Sequence, residues 1–212
     1  MAIVNFNYIF LNKMKNIIFI CFLIILLILF LINKNKIFEN FRILNLNSGN
    51  NEKLLLNYSS LPKYDFRVVL SITISKNDLD SIYPTLLSLL DQTHRTDMIY
   101  LNYIGDIHEI PENCKQISLC YQSKKYNNLF IPTLLREEDA NTIIIQINNL
   151  QIFPKNTIKN LIEKSLSLPD HIIKDSYDNE LLKPKFFSYE DLYENINSEN
   201  ILKNKKIYNL KK

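Results

Sequence analysis

Few side chains in this sequence are spaced to do chemistry together. Glu137, Glu138 and Asp139 form a run of carboxylates. The run ends a helical stretch, with no rigid strand to hold it as a metal site, so it reads as a solvated helix end. Lys124 and Lys125 would suit a diphosphate, although paired loop lysines are usually only solvated. Asn148 and Asn149 close an apolar run. Their carbonyls can ligate a cation but bring no charge, and Asn equally suits the turn that ends a strand. His94 follows Gln92-Thr93 at a helix end, where a cation complements the dipole. His108 and His171 have no nucleophile or carboxylate in a recognisable arrangement, so no triad can be built. The three cysteines form no C-x-x-C pair, and a zinc site is unsupported. Cys21 is apolar filler, and Cys114 and Cys120 would pair only in an oxidising compartment. With just two glycines, Gly49 and Gly105, the chain cannot build a Gly-rich phosphate cradle.

Composition narrows the function classes further. The 212 residues are 47% hydrophobic and 22% charged, which is globular rather than disordered composition. The net charge of +3, from 25 basic and 22 acidic residues, gives no electrostatic footprint for nucleic acid.

The elements that must position any site are legible from residue 67 onward. The β-branched run 67–75 suits a strand buried on both faces. Leu79, Ile82, Leu86, Leu87 and Leu90 fall at helical spacing, with Pro84 expected at a kink or at the first turn of the main helix. Further strands are expected at 97–104, 116–122 and 142–148, and helices at 129–138 and along Ile158, Leu161, Ile162 and Leu166. Ser188 and Asp191 form a capping box that would open a last helix. Alternating strands and helices predict an α/β fold with a mostly parallel sheet and flanking helices. Ligands of such sheets bind beyond the carboxyl ends of the strands, which directs attention to Thr73 through Asp78 and to Asn148 through Phe153.

Residues 17–32 are sixteen apolar residues without a charge. A helix of that length spans about 24 Å, short for a hydrocarbon core unless Asn16 and Asn33 lie at the interfaces, and suited to a thinner internal membrane. A buried core helix would need a polar stripe, and a cleaved signal peptide would need small residues after the run. The expectation is an uncleaved single-pass signal-anchor in contact with membrane lipid through residues 17–33. Lysines flank both ends, so the positive-inside rule leaves the orientation nearly tied. The expected organisation is a short tail (1–16), the anchor (17–33), a polar Asn-rich tether (34–65) and an α/β domain (66–212). Asn57-Tyr58-Ser59 is an N-glycosylation sequon that would be used only in a lumen.

Two long segments carry a family resemblance. Residues 71–104, with Ser88-Leu89-Leu90-Asp91-Gln92-Thr93 and a strand ending Ile99-Tyr100-Leu101-Asn102, resemble the opening of a GT-A type glycosyltransferase domain, the nucleotide-diphospho-sugar transferase fold. Residues 132–173 are similar to the stretch in which members carry a D-D-D run followed by Tyr-Pro. The resemblance implies a Rossmann-like sheet, truncated after the metal strand, a lumenal domain in an endoplasmic reticulum or Golgi type membrane, and a sugar nucleotide as ligand. It also implies Thr73, Ser75, Lys124 and Lys125 as nucleotide-binding candidates. The D-D-D run holds Mn²⁺ or Mg²⁺, which neutralises the departing diphosphate. Here those positions read Asn148, Asn149 and Leu150, before Phe153-Pro154. The turn expected to read D-Y-G-P-x-T-K reads Ser123 to Leu129, without the glycine, the proline, the acid or the aligned lysine. The implied protein is a pseudoenzyme with lost or weakened activity and no confident cofactor, Mn or Mg binding only if the motif still functions. It would pair with an active glycosyltransferase. The alternatives are a metal-independent transferase using Lys124 and Lys125, and a non-catalytic structural or interaction module on this fold. None of Asp175, Asp178, Glu180, Glu190, Asp191 and Glu194 is singled out as a catalytic base.

Overall fold

The computed structural model of the chain describes residues 51–188, 191, 201–202 and 205–210. The tail, the expected anchor, the tether before residue 51 and most of the helix expected after Asp191 lie outside them. Among the described residues no helix is long and apolar enough to cross a membrane.

The described chain begins with α1 (Asn51–Ser59) and reaches β1 (Val68–Ser75), whose side chains are buried on both faces because both receive helices. Then come α2 (Leu79–Leu90), β2 (Met98–Ile104), the single turn α3 (Glu112–Lys115) and β3 (Leu119–Gln122). Another single turn, α4 (Ile131–Leu134), leads to β4 (Ile143–Ile147) and α5 (Thr157–Ser167). Three short strands follow: β5 (Ile172–Lys174), β6 (Glu180–Leu182) and β7 (Ile207–Asn209). They form one seven-stranded sheet in the order β3-β2-β1-β4-β6-β5-β7. The pairs β1–β2, β1–β4, β2–β3 and β5–β7 are parallel, whereas β6 is antiparallel to β4 and to β5. The fold is therefore α/β with a mostly parallel sheet and flanking helices, a Rossmann-like arrangement.

Strand order reverses at β1. The chain steps outward from β1 to β2 and β3, then returns to place β4 on the other side. Right-handed crossovers in opposite directions deliver their helices to opposite faces. The β1-to-β2 crossover and the returning β3-to-β4 crossover thus put α2 and α4 on opposite faces. There α5 joins the face of α2, where Ile82, Leu86 and Leu89 of α2 and Ile158, Leu161 and Ile162 of α5 share one core with Leu70, Ile72, Leu101 and Ile145. On the other face, Phe130, Ile131 and Leu134 pack with Val69, Tyr100, Ile144 and Phe187. The switch point lies between the carboxyl ends of β1 and β4, where the two inspected segments meet.

Several expectations are revised. The segment assigned to a polar tether contributes α1, whose Leu54, Leu55 and Tyr58 pack on the core. The Tyr58 hydroxyl lies 2.8 Å from Thr96 Oγ1 and accepts from the Thr96 amide at 2.7 Å. Lys63 pairs with Asp97 at 2.6 Å, and Tyr64 stacks on both Phe66 and His94. The described part of 34–65 thus belongs to the domain, because three apolar side chains at helical spacing outweigh its polar composition. His94 is half-buried against Tyr64 rather than exposed at the helix end. The helix expected at 129–138 is one turn, since Arg136 and Glu137 face inward to polar partners. Pro84 is accommodated inside an unbroken α2, and β3 and β4 are shorter than their apolar runs. Ser188 and Asp191 do form reciprocal cap bonds: Ser188 N donates to Asp191 Oδ2 at 2.8 Å, and Asp191 N to Ser188 Oγ at 3.2 Å.

The end of α2 is sewn to the loop after β4. Ser88 Oγ accepts from Phe153 N at 3.1 Å and Gln92 Nε2 donates to Pro154 O at 3.0 Å. Gln92 Oε1 accepts from Ile158 N at 3.3 Å, and Thr93 N donates to Lys155 O at 3.1 Å. Ser88 and Gln92 are buried, so each bond is made away from water and leaves a costly orphan if broken. Replacing Gln92→Leu keeps the volume but strands Ile158 N, while Pro154 O keeps the Thr157 amide. We expect a loss of roughly 1–3 kcal/mol from the one unsatisfied buried group, read as a lower denaturant midpoint at unchanged slope.

Candidate functional site

The carboxyl ends of β1 and β4 gather Thr73, Ser75, Asn148, Asn149 and the loop 123–129. The four named side chains each bond to the protein, whereas Gln151 Nε2, also after β4, is buried without a partner. Thr73 Oγ1 donates to Leu129 O at 2.8 Å. Ser75 donates to Asp78 Oδ2 twice, from its amide at 2.7 Å and its hydroxyl at 2.8 Å, which closes the turn into α2. Asn148 Nδ2 donates to Asp178 O at 2.6 Å, and Asn149 Nδ2 to Tyr177 O at 2.8 Å. Leu150 packs on the hydrophobic core.

The two amides hold the turn between β5 and β6. Its geometry demands support, because Asp178 adopts a left-handed backbone with φ of 62°, a conformation few non-glycine residues tolerate. Asp175 braces the turn from inside: Oδ1 accepts from Tyr177 N at 2.8 Å and Asn179 N at 2.9 Å, and Oδ2 from Asn179 Nδ2 at 2.9 Å. Beside it the Lys174 ammonium stands 3.4 Å from Asp178 Oδ1 and 3.5 Å from Glu180 Oε1. Burial raises the Glu180 carboxyl above its ordinary value, against the opposing pull of Lys174.

These residues do not fit a divalent cation. Asn148 and Asn149 hold the turn through their NH₂ groups and have only uncharged carboxamide oxygens to offer a cation. Leu150 packs half-buried against the core and offers no ligand, and Lys174 accompanies the carboxylates of Asp178 and Glu180. Among the described residues no group of three or more His, Cys, Asp or Glu side chains could hold a metal ion. Lys124 and Lys125 are exposed on the loop that leaves β3. That loop runs from Ser123, whose amide donates to Tyr103 O at the end of β2, to Leu129 over β1. It therefore crosses the strand ends, but the structure brings neither lysine into a described contact with Thr73, Ser75 or Asn148. Asn57 is exposed on α1.

The carboxylate expected to be solvated is buried. Glu137 receives a bidentate pair from Arg67, Nε at 2.8 Å and Nη2 at 2.9 Å, plus the Tyr100 hydroxyl at 2.8 Å. Burial pushes its carboxyl up, but those donors outweigh it and hold Glu137 below the usual range. Its neighbour Arg136 lies 4.0 Å over the Tyr121 ring and donates to Asn102 Oδ1 at 2.8 Å. Asn102 in turn reaches Thr133, which donates to Ser71. Sequence could not separate Glu137 from Glu138, because only the long-range partner Arg67 distinguishes them. Burial pushes the Cys114 thiol up to about 12, so it is no nucleophile, and both described cysteines are free.

No protein-family model matches the chain, and no curated protein matches its sequence significantly. Any functional conclusion therefore rests on the chemistry of the strand ends. Asn148→Asp puts a carboxylate against the Asp178 carbonyl, exchanging an attraction for a repulsion. We expect a loss of about 2 kcal/mol, read as a lower melting temperature that millimolar MnCl₂ does not restore. Recovery with Mn²⁺ would show that the position still belongs to a metal site.

Proposed function

We propose that this is a membrane-anchored, glycosyltransferase-like protein of GT-A type that has lost transferase activity. The single observation that carries the reading is at the end of β4. Asn148 and Asn149 are committed as donors to the protein's own carbonyls, and Leu150 is in the core. A sugar nucleotide leaving as a diphosphate develops charge that must be neutralised where it forms. This strand end offers two neutral amides and an aliphatic group. The seven-stranded sheet, whose order reverses between β1 and β4, and the paired motif residues Ser88, Gln92, Phe153 and Pro154 support the GT-A assignment. The role of such a protein is to fold with or support an active glycosyltransferase.

Calorimetric titration of the full-length chain with a panel of UDP- and GDP-sugars, with and without Mn²⁺, tests the loss of activity. The expected result is no binding tighter than roughly millimolar in either condition. Micromolar binding that requires Mn²⁺ would overturn the reading. Micromolar binding without metal, abolished by replacing Lys124 and Lys125 with Ala, would instead support a metal-independent transferase. That second reading is favoured by one observation, the exposure of both lysines on the loop that crosses the strand ends.

The anchor is residues 17–33, in an internal membrane of endoplasmic reticulum or Golgi type, with the domain in the lumen. Asn57 is the reporter of that orientation: its side chain is exposed, while the intervening Tyr58 is held by Thr96. Peptide N-glycosidase treatment of the full chain from a eukaryotic membrane fraction is expected to raise its mobility, and Asn57→Gln to abolish the shift. An unshifted chain whose domain is digested by protease added to intact membranes would place the domain on the cytosolic side.

A further inference from the structure

A surface cavity of about 540 Å³ opens between α5 and the β5–β6 turn, lined among others by Asn156, Asn160, Ser176 and Tyr177. That volume falls within the range of about 300–1,000 Å³ typical of small-molecule pockets.

The charged groups around it are already occupied. Asp175 accepts the three hydrogen bonds that brace the turn. Glu163 pairs with Lys159 at 3.7 Å, and the Lys164 ammonium lies 4.4 Å over the Tyr208 ring. The groups left free are uncharged. Asn156 stands at the N-cap of α5, yet its side chain makes no cap bond. The amide it would ordinarily cap, that of Ile158, is taken from behind by Gln92 Oε1. Among the described residues neither the Asn156 nor the Asn160 carboxamide has a partner. Pro154 and Leu161 supply apolar lining. Tyr177, 36% exposed, stands edge-on to the Phe153 ring and so presents a held aromatic surface.

We infer that this cavity binds a saccharide. A neutral ligand rich in hydroxyls is what two free carboxamides recognise, since each offers a donor and an acceptor side by side to neighbouring hydroxyls. An exposed aromatic ring complements the C–H face of a pyranose. A phosphate or carboxylate ligand would face two carboxylates, Glu163 and Asp175, against the single ammonium of Lys164, and a fully apolar one would leave the amides unmatched. The Asn148 and Asn149 bonds position this site indirectly, because they hold the turn that carries Ser176 and Tyr177. The inference stands on the lining chemistry and does not require the glycosyltransferase-like reading.

Ligand-observed saturation-transfer NMR tests it, using the full-length chain in lipid nanodiscs with glucose, galactose, mannose and N-acetylglucosamine as probes. At least one probe is expected to bind at roughly millimolar affinity, the scale for so few heavy atoms. Asn160→Leu and Tyr177→Ala, both at exposed positions, are expected to weaken it ten-fold or more. Glu138→Gln, on the opposite face of the sheet, is expected to leave it unchanged. Absence of signal from every probe on folded protein overturns the inference, as does binding that both cavity variants leave intact. Tight Mn²⁺-dependent binding of a sugar nucleotide that survives Tyr177→Ala would sink the pseudoenzyme reading while leaving this cavity to be judged by its own variants.

Discussion

Two amide hydrogen bonds govern the carboxyl end of this sheet, from Asn148 to the carbonyl of Asp178 and from Asn149 to that of Tyr177. A carboxylate at either position would face an oxygen, and neither position could both hold the turn and coordinate a cation through a charged group. The local electrostatics follow from this choice. The nearby carboxylates of Asp178 and Glu180 are accompanied by the Lys174 ammonium, and the left-handed Asp178 is held without a glycine. The side chains at this strand end serve as a structural joint.

Polar side chains are committed to structural networks elsewhere in the domain as well. Ser71, Asn102, Thr133 and Arg136 form a buried polar network beneath the strand ends, and every member has a partner within it. Arg67, Tyr100 and Glu137 do the same at the opposite end of β1. Fully satisfied networks of this kind add little net stability but penalise alternative packings, since any displaced member becomes a buried orphan. Two exposed carboxamides without a side-chain partner among the described residues, Asn156 and Asn160, line the cavity beside α5.

Local pattern revealed much of the fold. β-branched runs marked β1, β2 and β4, and the spacing of Ile158, Leu161 and Ile162 marked α5, because these elements bury a continuous apolar face. Legibility failed where a segment's state depended on distant partners. The carboxyl half of the 129–138 run is not helical because Glu137 is held by Arg67, just before β1, and Tyr100 of β2, and Arg136 by Asn102 of β2. Likewise, α1 looked like a linker because its docking depends on Thr96, thirty-eight positions away. The candidate site was legible as a set of positions, since a sheet of this topology places the ends of β1 and β4 together. The use of those positions was not, because an Asn side chain reads identically whether it ends a strand, binds a cation or clamps a turn.

By itself the sequence determined the alternation of elements, the charge missing from the end of β4 and the absence of any Gly-rich phosphate loop. These follow from residue type and short-range period alone. Tertiary structure decided which carboxylate is buried, where the amide donors of Asn148 and Asn149 go, and that the free carboxamides of α5 line a cavity beside Tyr177. Those outcomes depend on groups far apart in the chain meeting at hydrogen-bonding distance, and no local pattern encodes such a meeting.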